Sequence, residues 1–80
     1  MSNENYYSTS DLSLAATLLC LGYKLEALDR HDSRRAVFIF NRDKALDNFL
    51  EAYWGDNLTV NPRTYFDALK SLKTRLYDQV

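Results

Sequence analysis

The residues from Tyr7 to Gly22, YSTSDLSLAATLLCLG, form the most apolar continuous segment of the chain, and any fold must cover them. Ser8 and Asp11 have capping-box spacing, with Tyr7 and Leu12 placed as a hydrophobic staple across a helix start. Gly22 is the natural stop, because glycine enters the left-handed conformation without a Cβ clash. Leu12, Ala15, Ala16 and Leu19 share one face of this predicted helix, and Leu14, Leu18 and Leu21 a neighbouring one. Only Ser13, Thr17 and Cys20 make a polar stripe. A helix apolar around most of its girth is buried on most sides. With only 80 residues to build a cover, the expectation is pairing through this helix or through exposed aromatics, as a homodimer or with a protein partner.

Beyond Gly22 the segment Tyr23–Asp29 alternates as a half-buried strand does. The cluster DRHDSRR then reads as a turn. Ala36-Val37-Phe38-Ile39-Phe40 is apolar on both faces, which predicts a central strand with neighbours on both edges. Leu58-Thr59-Val60 is the preferred second neighbour and Tyr6-Tyr7 the alternative. Asn41 or Asp43 caps a second helix running to about Trp54, with Leu46, Phe49, Leu50 and Tyr53 at helical spacing and Gly55 as its stop. Asn61-Pro62 opens a third helix with Tyr65, Leu69, Leu72 and Leu76 inward. The predicted order is α-β-β-α-(short β)-α. It makes a single small α+β domain over residues 6–80, an antiparallel sheet of about three strands with helices packed on it. Residues 1–5 are a predicted flexible tail.

The runs YYSTSDLSLAATLLCLGYKL, RRAVFIF and LEAYWGDNLTVNPRTYFDALKSLKTRLY resemble a family of short uncharacterised prokaryotic and phage domains of unknown function. Its members share an aromatic-threonine-aspartate helix start, a glycine turn into a hairpin, a Phe-x-Phe strand and a closing Phe-x-x-Ala-Leu-x-x-Leu-Lys helix. The resemblance spans residues 6–77 and implies the α+β element order above. It implies no activity, cofactor or catalytic residue.

Ten basic and eleven acidic residues leave a formal charge of −1, which argues against bulk attraction to nucleic acid or anionic membrane. Residues 30–44 nevertheless carry five bases against two acids. A lone cysteine and a lone histidine make neither an intrachain disulfide nor a Cys/His zinc cluster. Cys20, on an apolar helix, reads as an inert thiol. MSNENYYSTS has no signal-peptide pattern, and no apolar run approaches the ~20 residues that span a bilayer, so the expected compartment is the cytoplasm.

Arg30, His31, Arg34 and Arg35 cluster at the predicted hairpin tip, where an anion or nucleic-acid contact competes with a plain solvated turn. Arg42 and Lys44 lie at the far end of the central strand, which predicts two separate patches rather than one. On the last helix, Phe66, Lys70, Lys73 and Tyr77 are spaced by four, three and four. Interleaved aromatics and cations suit single-stranded nucleic acid, and they also arise where lysine stems cover a core's edge. Trp54, Phe66 and Tyr77 are candidate interface residues. Nothing brings carboxylates to a shared cleft, and no glycine-rich phosphate loop is present. The function expected is therefore a non-enzymatic binding or adaptor module, without cofactor, that engages a protein partner or itself. The alternative is a nucleic-acid-binding accessory protein using the hairpin-tip arginines and the ridge of the last helix.

Overall fold

Ala36 to Phe40 lies at the centre of a three-stranded sheet, as its two apolar faces require. The computed structural model describes residues 5–32 and 35–78, with the backbone alone at 31, 32, 35 and 78. The elements are β1 (Tyr6–Thr9), α1 (Leu12–Cys20), β2 (Leu25–Asp32), β3 (Arg35–Asn41), α2 (Lys44–Trp54) and α3 (Pro62–Asp78). The sheet order is β1-β3-β2, with both outer strands antiparallel to β3. β1 and β2 therefore run parallel to each other, and α1 makes the crossover that two parallel strands need. The α+β class stands, and β2 runs on past Asp29 to Asp32, deeper into the expected turn.

The second neighbour of β3 is Tyr6–Thr9, not Leu58-Thr59-Val60. Tyr7 sits opposite Phe40 and Thr9 opposite Phe38. Residues 55–61 connect two helices of one layer. An extended span of that length covers about 23 Å, which a round trip to a sheet about 10 Å away nearly exhausts, leaving no length to pair. Leu58 and Val60 instead stay half-buried in the connection.

The same pairing corrects the start of α1. Ser8 is a strand residue opposite Ile39, and the cap is Asp11, whose Oδ1 accepts the N–H groups of Ser13 and Leu14 at 3.0 and 3.3 Å. Asp11 serves as well as Ser8 would, and it leaves Ser8 and Thr9 extended for the ladder. Asn5, placed by sequence in the tail, accepts the Arg42 N–H through its carbonyl at 2.8 Å. Residues 1–4 lie outside the described residues.

Register places Tyr7, Thr9, Leu25, Leu28, Phe38 and Phe40 on one face of the sheet. Against that face the helices bring Leu14, Ala15, Ala16 and Leu18 of α1, Leu46 of α2 and Leu72 of α3, all buried with Phe38 and Phe40 in one core. α1 and α3 pack side by side. Thr17, expected on a polar stripe, is buried, and its hydroxyl donates to the Ser13 carbonyl at 2.8 Å. The middle of α1, Leu14 to Leu18, is thus buried within one chain, while Leu12, Leu19 and Leu21 are half-buried against the core.

Three side-chain links tie α2 and α3 to the start of α1 and the turn after it. The Tyr53 hydroxyl donates to Asp11 Oδ2 at 3.4 Å, that of Tyr65 to Ser13 Oγ at 3.2 Å, and that of Tyr23 to Asp43 Oδ1 at 2.6 Å. Asp43, one of two expected caps, is the N-cap of α2. Asn61 caps α3, its Oδ1 accepting the Arg63 and Thr64 N–H groups.

Candidate functional site

With Leu72 buried and Tyr65, Leu69 and Leu76 half-buried toward the core, the helical period turns a second stripe of α3 to solvent. Phe66, Lys70, Lys73 and Tyr77 are all exposed along it, Phe66 by 56% and Tyr77 by 70%. Over eleven residues at 1.5 Å each, the two rings stand about 16 Å apart along the axis. The Lys70 ammonium lies 5.2 Å from the Phe66 ring centroid, within cation–π range. Arg63, three residues before Phe66 and exposed, extends the stripe. The three-four spacing that runs from Phe66 to Tyr77 reaches back to it, a signal present in the sequence alone. Asp67, four residues after Arg63 and three before Lys70, borders the stripe on one side and offsets part of its positive charge.

The hairpin adjoins one end of this stripe. Arg30 donates from its guanidinium to the Leu76 carbonyl at 2.6 Å, which sets β2 against the last turn of α3. Arg30, predicted as an anion contact, thus has a structural engagement. The backbones of His31 and Arg35 lie in β2 and β3 next to the tip. Their side chains, and Arg34 altogether, lie outside the described residues. At the other end of β3, Arg42 pairs with Asp47 at 2.6 Å in a solvent-exposed bridge, which neutralises much of the second patch.

Trp54 is 64% exposed at the C-terminal end of α2, with the Tyr53 ring edge-to-face at 4.9 Å. Burial raises the Cys20 thiol above its usual range and disfavours the thiolate. Among the described residues, no three His, Cys, Asp or Glu side chains gather closely enough to hold a metal ion, and no helix is long and apolar enough to cross a membrane.

A family model described as Domain of unknown function (DUF5659) matches residues 4–78, from before β1 to the end of α3. The chain belongs to the DUF5659 family. No curated protein and no solved structure matches it. The DUF5659 match takes in the sheet and all three helices together. A family of unknown function assigns no role to a residue, so the roles argued for this member rest on its geometry.

Proposed function

We propose that this DUF5659 domain is a non-enzymatic binding module that engages a protein partner, or a second copy of itself, through the outer stripe of α3. The carrying observation is the exposure of Phe66 and Tyr77 at the two ends of one helical stripe, while the core closes without either. Paired exposed aromatics on a rigid helix are what interface centres are built from. The cytoplasmic setting and the prokaryotic or phage origin implied by the resemblance belong to the same proposal.

A second reading is favoured by the cations set between those rings. Lys70, Lys73 and Arg63, with the hairpin drawn up by Arg30, suit the backbone of a single strand whose bases stack on Phe66 and Tyr77.

The double variant Phe66→Ser/Tyr77→Ser separates the two when tested with the wild type. Sedimentation velocity at high micromolar concentration reads self-association. Photo-crosslinking from position 74, exposed beside the stripe and unchanged in the double variant, followed by rebinding of the purified crosslinked protein, reads a partner. Either signal, lost in the double variant, supports the first reading. Oligonucleotide titration supports the second if affinity falls with salt at a log–log slope of about −2, for about three phosphates. A monomer with no crosslinked partner overturns the first reading, and absence of oligonucleotide binding at low salt overturns the second.

A further inference from the structure

A cleft lies away from the α3 stripe, where the end of α1 meets the start of α2. Gly22, at φ +99°, closes α1 by donating to the Leu19 carbonyl at 3.1 Å, while the Tyr23 N–H reaches the Leu18 carbonyl at 3.0 Å. This turn sends the Tyr23 side chain across to α2. There its hydroxyl meets Asp43 at 2.6 Å, and its ring meets Phe49 at 82° with centroids 6.2 Å apart. Leu21, Gly22, Tyr23, Asp43, Ala45 and Phe49 together line a cleft of about 260 Å³.

The geometry points to a binding site for an N-methylated ammonium head group in this cleft. The two rings stand nearly at right angles, edge to face, and both line the cleft, and ring faces carry the negative part of the aromatic quadrupole. A cation within about 6 Å of such faces is attracted to them, which is how aromatic cages hold quaternary ammonium groups. Asp43 adds a full negative charge at the rim. Its Oδ1 already accepts from Tyr23 and from the Leu46 N–H, and its charge remains available to a cation. Leu21 and Ala45 offer apolar contact to methyl groups, which a strongly hydrated bare ammonium does not reward.

Size narrows the ligand further. The cleft is smaller than the ~300–1,000 Å³ of pockets that take whole drug-sized molecules, so it suits a head group and not an extended cofactor. A Cβ at Gly22 would meet nothing within 4 Å, so the cleft stays open on that side for the rest of the ligand to leave. The cations nearest in sequence, Lys24 and Lys44, are exposed and oppose binding. Removing one of them should therefore tighten it.

The test is an amide chemical-shift titration of the intact protein with four probes: choline, its neutral carbon isostere 3,3-dimethylbutanol, a trimethyllysine peptide and the same peptide unmethylated. The expected result is saturable shifts at Gly22, Tyr23 and residues 43–49 with the methylated cations, and about tenfold weaker binding of the isostere and of the unmethylated peptide. Binding of choline and the peptide assigns the site to the head group itself, and binding of the peptide alone to a modified protein. Asp43→Asn keeps a good helix cap while removing the charge, and Phe49→Leu keeps apolar bulk while removing a ring. Each should weaken choline or peptide binding about tenfold, while Lys44→Gln strengthens it. Equal binding of cation and isostere, no saturable shift at these residues, or full affinity in folded Asp43→Asn would each overturn the proposal. The α3 double variant should bind these probes as the wild type does, so the outcome here is independent of the function proposed for that stripe.

Discussion

The Arg30 guanidinium donates to the Leu76 carbonyl at 2.6 Å, joining residues 46 positions apart in the chain. Leu76 is in the last turn of α3, whose carbonyls have no partner within the helix, and a cation there also meets the negative end of the helix dipole. Arg30→Leu should cost about 1–2 kcal/mol in urea denaturation and remove hydrogen-exchange protection from residues 73–78. Arg30→Lys should recover part of both. A loss below about 0.5 kcal/mol would mean that the link contributes little.

α1 and α2 end in the same motif with different residues at its left-handed position. In α1 that residue is Gly22, at φ +99°. In α2 Gly55 is the C-cap at φ −89°, and the left-handed residue is Asp56, at φ +61°. The Asp56 N–H donates to the Tyr53 carbonyl and that of Asn57 to the Ala52 carbonyl. Asp56→Gly should therefore stabilise the domain by about 0.5 kcal/mol, the relief of strain being offset by a looser unfolded chain. Gly22→Ala should destabilise it by about 1 kcal/mol from backbone strain alone, since the added methyl meets open space. Thermal melts of both variants check the opposite signs.

Burial first, then the hydrogen bond to Asp43 and its negative charge, push the Tyr23 hydroxyl from 10.0 up to about 12. The folded state holds this proton more tightly than the unfolded chain does. Its contribution to stability is therefore whole below about pH 10 and is lost as the pH rises toward about 12. Urea midpoints of the wild type should fall over that window more steeply than those of Tyr23→Phe, which cannot lose the proton. Parallel curves would disprove this coupling.

Leu72 is 0% exposed and Phe66 is 56% exposed on the same helix. Leu72→Ala should cost about 2–5 kcal/mol, a large share of the whole stability of a domain this small. Phe66→Ser and Tyr77→Ser should each change stability by about 0.5 kcal/mol or less. Circular dichroism melts of the three variants decide whether the stripe is free to serve binding or is part of the core.

What could be read in advance followed the range of the forces involved. Asn61-Pro62 and the Gly22 stop act over one helical turn, and both stand where sequence placed them. The inward face of α3, marked by Leu69, Leu72 and Leu76, was equally legible because helical periodicity needs no partner to show itself. The outward stripe is legible on the same grounds, since Phe66, Lys70, Lys73 and Tyr77 share one helical spacing and all are exposed. Tyr23 and Asp43, twenty residues apart, share no local pattern, and only the fold brings them together.

Sequence by itself determined that β3 is central, where the helices lie and which faces of them are apolar, since these follow from local backbone preference and from side-chain period. Tertiary structure alone decided that Tyr6–Thr9 completes the sheet, that Asp11 and not Ser8 begins α1, and that Leu14 to Leu18 of α1 are buried against the sheet and α3. Ser8 serves equally well as cap or strand residue when only its neighbours are considered. The choice falls to strand because β3 offers a ladder of hydrogen bonds, and a segment whose local preferences are nearly balanced goes where long-range pairing sends it.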